Sequence, residues 1–459
     1  MFLISLLLVA VIAVGLSTYS RLYALLFLIP LSIYSQSSLV VSIGERGINL
    51  GMDTIYIFIF VIVELAKGKR NKFNMNLNKS SFALLLCFVY FLLNSFVSSF
   101  VGPAGFSLSG ILACVRLIQY VPVFILLCNI DIDLASSIKA IKVFIITGLS
   151  ASFLAVYQLL SGNYFYMKGM PSFTMPVFRE IDQVTEAGSY AGSGNYNIYA
   201  AFLLIPVFLA ILLWYTKNEV LAYDKKKIVI YLCILIIGMY ISSSRSAALA
   251  IIVGLISMNF SFKRILSSLK KMLIISVLTL VVGYLFRDFA LIKNFTDIIT
   301  HFNEVLPYAM ENSVWNSKMG FSGDTLGAVI RIYTFTEAIR VFLLYPFFGC
   351  GFDLFLTQST RYPENLFLQI LAETGIIGFF LFMNFIYTLY TSTEKYTINN
   401  LFDKYFGLTF QAIIIALCFV NMTGGTLFSQ KVWGPFLIIA GFFYGYKRSA
   451  TLKYNEIYE

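Results

Sequence analysis

The feature that most constrains the fold is a series of apolar segments that recurs along all 459 residues of the chain. Most approach the roughly 20 residues that a membrane-spanning helix needs. Hydrophobic residues make up 59% of the chain and charged residues only 12%, against about a quarter in soluble domains. Polar breaks divide the chain into apolar segments near 2–19, 22–40, 48–66, 81–101, 108–128, 138–160, 196–215, 228–242, 246–260, 272–287, 365–390, 405–421 and 431–446.

These segments predict an all-α, polytopic integral membrane protein with about 12 to 13 transmembrane helices, because a helix satisfies its own backbone hydrogen bonds in lipid. No polar block is large enough to fold alone, so we expect a single transmembrane domain over residues 1–459. The lipid bilayer is therefore the first partner that the sequence predicts.

Basic residues set the expected orientation. The connections that carry them fall on one side if every segment crosses, and the positive-inside rule makes that side cytoplasmic. The net charge of +10 is then a topology signal, and no nucleic-acid partner is expected. Two long connections, 161–195 and 288–363, become outer loops. The basic residues are Lys67, Lys69, Arg70, Lys72, Lys225, Lys226, Lys227, Lys263, Arg264, Lys270, Lys271, Lys447 and Arg448.

The larger outer loop, 288–363, contains the run "AVIRIYTFTEAIRVFLL", in which apolar residues recur at helical spacing. This spacing predicts an amphipathic helix. We expect the helix to lie along the outer membrane surface and to cap a cavity. The outer face is therefore where the chemistry is expected.

The residue types argue against several kinds of site. The chain has a single histidine, and its six cysteines show no CxxC or other metal-ligand spacing. No P-loop occurs, and the glycine pairs do not follow a strand. We therefore expect no metal and no cofactor, and a reaction that is driven by an already activated substrate.

Two arginines are candidates for binding an anion such as a lipid-linked phosphate. Ser242, Ser243 and Ser244 precede Arg245 at the outer end of a helix, where hydroxyls, free N–H groups and a guanidinium converge. The alternative is a serine N-cap beside a snorkelling arginine. Arg116 lies about two turns inside its helix, where an ionisable residue is either functional or half of a structural ion pair.

Three stretches together resemble the superfamily of O-antigen polymerases and O-antigen ligases: "SSSRSA", "RIYTFTEAIRVFLLYPFFGCGFDLF" and "ENLFLQILAETGIIGFFLF". Members read roughly Ser-Arg-Ser/Gly, then Arg…Pro-x-x-Gly-x-Gly, then His-Asn-x-x-Leu…Glu-x-Gly-x-x-Gly. The resemblance covers approximately 185–390. It includes "GSYAGSGNYNIYA", which is similar to the asparagine-containing segment at which a helix begins in the family. The second motif falls on Arg331, Pro346, Gly349 and Gly351.

The resemblance implies a metal-independent glycosyltransferase of GT-C-like helical architecture in the bacterial plasma (inner) membrane. Its donor would be a glycan on undecaprenyl pyrophosphate at the outer face, and a chain-length regulator protein is a candidate partner. The motifs and the arginine placements give Glu364 and Arg245 as predicted catalytic residues. The predicted substrate-binding residues are Arg116, Arg331, Arg361, Asn365 and Asn197.

One residue departs from the family pattern, because Glu364 stands where ligases usually carry histidine. This favours a polymerase that joins lipid-linked repeat units of O antigen, capsule or exopolysaccharide, with a ligase acting on lipid A core as the alternative. Glu364 is expected to be the catalytic base or to orient the acceptor hydroxyl. If it is merely an acid favoured by the helix dipole, the base is expected among Glu180, Asp182 and Glu186.

Other readings stay open. A transporter or flippase for lipid-linked glycans would share the spans and intramembrane arginines, but such proteins commonly show two related halves, which we do not find. A passive assembly protein needs no outward arginines. In the third motif, Glu373 is expected to make a polar helix contact, with a buried arginine as the alternative partner. Gly375 and Gly378 are expected to allow close helix packing.

Overall fold

The computed structural model describes residues 2–34, 37–43, 46–68, 77–101, 109–161, 196–216, 225–242, 244–258, 323–359, 362–394 and 401–458. These residues are helical apart from one hairpin and short connections. The helices are α1 Phe2–Tyr19, α2 Arg21–Tyr34, α3 Met52–Gly68, α4 Lys79–Val101, α5 Ser109–Ile118, α6 Tyr120–Asn129, α7 Leu134–Ser161, α8 Tyr196–Thr216, α9 Lys225–Ile241, α10 Arg245–Met258, α11 Gly323–Leu344, α12 Leu366–Glu394, α13 Leu401–Asn421 and α14 Gln430–Tyr458.

The expected class, an all-α polytopic membrane protein, is confirmed. In the described part of the chain, six helical stretches are long and apolar enough to cross a membrane. The predicted span at 272–287 lies outside the described residues. The six stretches are Lys79–Phe100, Gly110–Asn129, Leu134–Tyr157, Asn197–Thr216, Leu366–Thr393 and Leu401–Asn421, and shorter apolar helices occupy Leu8–Tyr19, Arg21–Tyr34 and Arg245–Met258.

A two-stranded hairpin replaces the end of one predicted apolar segment. The segment 22–40 was expected to continue as one unit, but α2 ends at Tyr34. Strands β1, Ser37–Ile43, and β2, Arg46–Gly51, then pair antiparallel before α3 begins. Strand β1 contains two valines and an isoleucine, and the turn-type pair Gly-Glu separates the two strands, which favours a hairpin over a helix. Hydrophobicity alone does not distinguish such a hairpin from a continuing helix.

Helix α8 occupies the centre of the bundle, because it is apolar on every face and is buried almost throughout. Near one end, Tyr215 of α8 stacks on Tyr405 of α13, with ring centroids 4.6 Å apart. The two helices are therefore antiparallel, so that α8 begins where α13 ends. Tyr446 of α14 donates to Asp403 at 2.6 Å, which makes α14 antiparallel to α13 as well. We call the end where α8 and α14 begin the site end.

Basic side chains lie at the opposite end. Lys447 binds the carbonyl of Ser392, and Arg448 donates to the carbonyl of Asn129 at 3.1 Å. Both acceptors stand near helix C-termini, where cations are favoured by the helix dipole. Lys447 and Arg448 are thus separated from the site end, and this separation agrees with the expected grouping of basic residues. Its assignment to the two sides of a membrane stays a prediction.

Helix α12 is broken at Gly375, whose backbone has φ 64° and ψ −170°. In a membrane span, the backbone groups freed by such a break need partners. The carbonyls of Ala372 and Glu373 accept from the N–H groups of Cys350 and Gly351 at 3.0 and 2.8 Å, and the N–H of Ile376 donates to Pro346 at 2.9 Å. We call residues 346–352 the docking loop, because they fill this break.

Glycine is required on both sides of the junction. Gly349 has φ 71°, and a Cβ there would overlap the backbone of Glu373. A Cβ on Gly375 would overlap the backbone of Phe347. The expected close packing is confirmed, but Gly375 achieves it by breaking the helix. Gly378 remains helical and lies against Thr374 and Tyr90.

We expect Gly375→Ala to lower the free energy of unfolding by at least about 1–3 kcal/mol, because its dihedral angles suit glycine alone and the docking loop must move away. The measurement is thermal unfolding of the full chain in one detergent. Gly407→Ala is the control, since the nearest atom to its added Cβ would be 3.9 Å away. Equal melting temperatures for the two variants would contradict the assignment of Gly375 as an obligatory break.

Candidate functional site

Helix α11 runs antiparallel to the first part of α12. Ala338 and Val341 lie on one face of α11 and pack with Ala372 of α12, together with Cys350 and Phe355. The docking loop fixes the far end of this helix pair at the break in α12. The near end of α11 is consequently held beside the residues that precede α12. The predicted helix in 288–363 is present as α11, and its place on a membrane surface stays a prediction.

This arrangement brings two predicted site residues together. Nε of Arg331 lies 2.8 Å from Oε2 of Glu364, and the two residues are 33 positions apart in the chain. The side chains are 44% and 31% exposed, respectively. A carboxylate able to accept a proton and a guanidinium able to bind an anion therefore share one partly open position at the site end.

Asn365 connects this position to α13. Its Oδ1 accepts from the N–H of Leu368 at 3.1 Å and so caps α12. Its Nδ2 donates to the carbonyl of Met422 at 3.0 Å. Both ends of the amide are thus used to hold the start of α12 against the end of α13. The fold gives Asn365 a positioning role, and its predicted contact with substrate stays a prediction.

A second group forms where α8 and α10 begin. Ser244 Oγ donates to Asn197 Oδ1 at 2.9 Å, and Arg245 is the first residue of α10 and is half-buried. The N-terminus of a helix of this length attracts anions through its free N–H groups and dipole. The predicted residues Asn197 and Arg245 are therefore neighbours. Ser243 lies outside the described residues.

A third group surrounds Arg116 at the end of α5. Among the residues that the structure describes, the buried Nε of Arg116 has no hydrogen-bond partner, and the same holds for both amide atoms of Gln119. The Arg116 carbonyl accepts from Gln430, the first residue of α14, at 3.5 Å, which places it towards the site end. A buried unsatisfied polar group costs about 1–3 kcal/mol. Sequence reasoning missed Gln119, although a glutamine within an apolar segment was the available signal.

Two acidic residues lie near the docking loop: Asp353 follows it in the chain, and Glu373 belongs to the part of α12 that it binds. Glu373 is fully buried, and its Oε1 accepts from Gln369 at 3.1 Å. The expected polar helix contact of Glu373 is confirmed. Asp353 has φ 56°, a strained conformation for a non-glycine residue, and its Oδ1 accepts from Tyr362 at 2.6 Å. Sequence reasoning did not single out Asp353.

Other predicted residues cannot be placed. Arg361 lies outside the described residues, as do Glu180, Asp182 and Glu186. The structure brings Arg331 beside Glu364 and Asn197 beside Ser244. Within the described ranges, no group of three or more His, Cys, Asp or Glu side chains is placed to bind a metal ion.

We expect Arg331→Ala to change the free energy of unfolding by no more than about 1 kcal/mol, because a partly exposed ion pair contributes little to stability. Arg340→Ala is the matched control. Arg340 Nη2 lies 2.8 Å from Glu337, which raises the pKa of this guanidinium, and its side chain is 46% exposed. Thermal unfolding in detergent provides the comparison. A much larger loss for Arg331→Ala would identify its ion pair as structural.

Comparison with known families adds one match. Residues 230–383 match a family described as O-antigen ligase, and no curated protein matches the chain. The matched range includes Arg245, Arg331, the docking loop, Glu364 and the break in α12. It confirms the family resemblance that the motifs indicated, over about a third of the chain.

Proposed function

Because residues 230–383 match a family described as O-antigen ligase, we propose that the chain is an enzyme of surface-polysaccharide assembly with a polymerase or ligase role. More specifically, we propose a polymerase that joins repeat units carried on undecaprenyl pyrophosphate. It would act at the outer face of the bacterial plasma membrane. The Arg331–Glu364 pair carries this proposal, because it joins a proton acceptor to an anion-binding group at one partly open position.

The reaction requires no redox change. An acceptor sugar hydroxyl attacks the anomeric carbon of the donor glycan, and a new glycosidic bond forms there. The bond from that carbon to the pyrophosphate oxygen breaks, and its electron pair leaves with the lipid pyrophosphate. The hydroxyl proton passes to the Glu364 carboxylate. Such a general base contributes about 10²–10⁴-fold to a rate.

Arginine side chains have the complementary task of stabilising the charge that develops on the leaving group. Arg245 suits this task, since it stands at the first turn of α10 beside Ser244. Arg116 is a further candidate because its buried Nε lacks a partner in the described structure. Arg331 would bind the glycan or a phosphate close to Glu364. These roles of Arg116, Arg245 and Arg331 are proposals from placement.

A polymerase is preferred to a ligase because Glu364 takes the position at which the resembled ligases usually carry histidine. The two activities differ in their acceptor. A polymerase transfers to another lipid-linked repeat unit and produces a ladder of lengths, whereas a ligase transfers a finished chain once. Purified protein in liposomes, supplied with lipid-linked repeat units and then with lipid A core, distinguishes a ladder from a single transfer.

We expect Glu364→Gln to reduce chain extension by about 10²–10⁴-fold, because glutamine preserves the shape of glutamate but cannot accept the hydroxyl proton. Single repeat units should accumulate on the lipid carrier. Glu337→Gln is the matched control, because Glu337 is also paired with an arginine but lies away from Glu364 on α11. Normal length and amount of polymer from Glu364→Gln would contradict the role of a base.

We expect Arg245→Lys to be impaired and Arg245→Ala to be more so, because an ammonium cannot reproduce the two parallel hydrogen bonds of a guanidinium to phosphate. Polymer length and amount are compared at equal protein level. Arg340→Lys serves as the control for loss of an arginine elsewhere. Wild-type polymer from Arg245→Ala would remove Arg245 from the reaction.

A further inference from the structure

We propose that the end of α11 and the docking loop form a re-entrant element that enters the hydrocarbon of the bilayer at the site end, where Phe347 and Phe348 contact lipid acyl chains. This inference goes beyond the proposed function and does not depend on it. It also departs from the expectation that all of 288–363 lies outside the membrane. Two neighbouring spans and the sequence itself support it independently.

The depth of the docking loop can first be read from α12. Its candidate span, Leu366–Thr393, has 28 residues and is about 42 Å long, whereas the hydrocarbon core is about 30 Å thick. With the hydrocarbon core centred on this span, about 6 Å extends beyond it at each end, and the core begins near Ile370. Gly375 is then about 7–8 Å inside it. Because the docking loop binds the backbone around Gly375, it lies at the same depth.

Helix α4 gives a second reading of the depth. Its candidate span, Lys79–Phe100, has 22 residues and is about 33 Å long, so it matches the hydrocarbon thickness closely. Asn94 precedes Phe100 by six residues and lies about 9 Å below it. The Asn94 side chain donates to the carbonyl of Phe348 and accepts from the N–H of Phe352 at 3.1 Å. The two spans therefore place the loop at similar depths.

The exposed surface at this depth is apolar. Phe347 and Phe348 are 64% and 63% exposed, and Leu343 and Leu344 at the end of α11 are also exposed. The neighbouring spans expose large apolar side chains as well, among them Leu93 and Val97 of α4 and Phe380 of α12. A soluble surface rarely presents so many large apolar groups together. The surface continues that of two spans, so hydrocarbon is its expected surrounding.

The backbone of the docking loop meets the condition for non-helical chain in a membrane, which is that its polar groups find partners in the protein. The N–H groups of Gly349, Cys350 and Gly351 donate to Tyr345, Ala372 and Glu373, at 2.9, 3.0 and 2.8 Å. The carbonyls of Pro346 and Phe347 accept from α12, and that of Phe348 accepts from Asn94. The loop can therefore lie in hydrocarbon without unpaired groups at these positions.

The sequence supports the same depth. No Asp, Glu, Lys, Arg or His occurs in residues 341–352, "VFLLYPFFGCGF". An apolar run of this length is too short to span a bilayer and is typical of a buried core segment or of a re-entrant or interfacial one, and the exposure of Phe347 and Phe348 argues against the buried core. The last charged residue before it, Arg340, donates to Glu337 and to the carbonyl of Gln358 at 2.9 Å. Its charge is thus directed to polar groups and not to the apolar end of α11.

The test uses a nitroxide spin label on the full chain in lipid nanodiscs, after Cys233, the exposed cysteine, is replaced by serine. Phe348→Cys is compared with Phe380→Cys on the lipid-facing side of α12 and with Thr336→Cys on the exposed side of α11 nearer Arg331. Power-saturation EPR measures collisions with oxygen, which concentrates in hydrocarbon, and with a water-soluble nickel chelate. All three substitutions are at exposed positions, so they leave the core intact.

We expect the label at 348 to collide more with oxygen than with the nickel chelate, as the label at 380 does, and the label at 336 to show the reverse. More frequent collisions with the nickel chelate at 348 would place the docking loop in water and overturn the proposal. Protection from both reagents would overturn it as well, because it would show that a second copy or another part of the chain covers Phe348. Neither result depends on enzymatic activity.

Discussion

The architecture of the site end depends on one backbone junction, between the break in α12 at Gly375 and the docking loop. A break in a membrane span leaves carbonyl and N–H groups that water cannot satisfy in hydrocarbon. Here the freed groups of Ala372, Glu373 and Ile376 bind Cys350, Gly351 and Pro346. The two segments therefore complete each other's hydrogen bonding, and neither conformation is favourable alone.

The junction also places the candidate chemistry. It fixes the far end of α11, and the packing of Ala338 and Val341 on Ala372 then directs the helix back along α12. Arg331 consequently reaches Glu364, although neither residue touches the junction. Asn365 adds a hydrogen bond to Met422 and so ties the same point to α13. A change at Gly349 or Gly375 would thus also shift the Arg331–Glu364 ion pair, because α11 connects the junction to Arg331.

The sequence predicted the helical membrane class, most helix positions and the segment that matches the family, because apolar length and short motifs are local properties. It also predicted that Gly375 and Gly378 pack closely. It did not predict the break at Gly375, since the two glycines of "AETGIIGFF" are compatible with either a continuous or a broken helix. The pairing of Arg331 with Glu364 could not be read from residues 33 positions apart, because it depends on how α11 folds back. Asp353 was missed because backbone strain is a tertiary property, and Gln119 because a glutamine within an apolar segment does not by itself reveal that both of its amide atoms are buried.

The weakness of the Arg331–Glu364 pair fits a place where charges must change partners. At the other end of the bundle, the buried Glu64 carboxylate pairs with both Arg21 and Lys67. Removing one of these partners would leave a buried charge without full compensation, which is strongly destabilising. Arg331 and Glu364 are both partly open to solvent, so their separation costs at most about 1 kcal/mol. An arriving phosphate offers Arg331 a bidentate partner of at least equal strength. Under the proposed function, the same exchange would release the Glu364 carboxylate, so that binding of the donor and exposure of a proton acceptor would be one event.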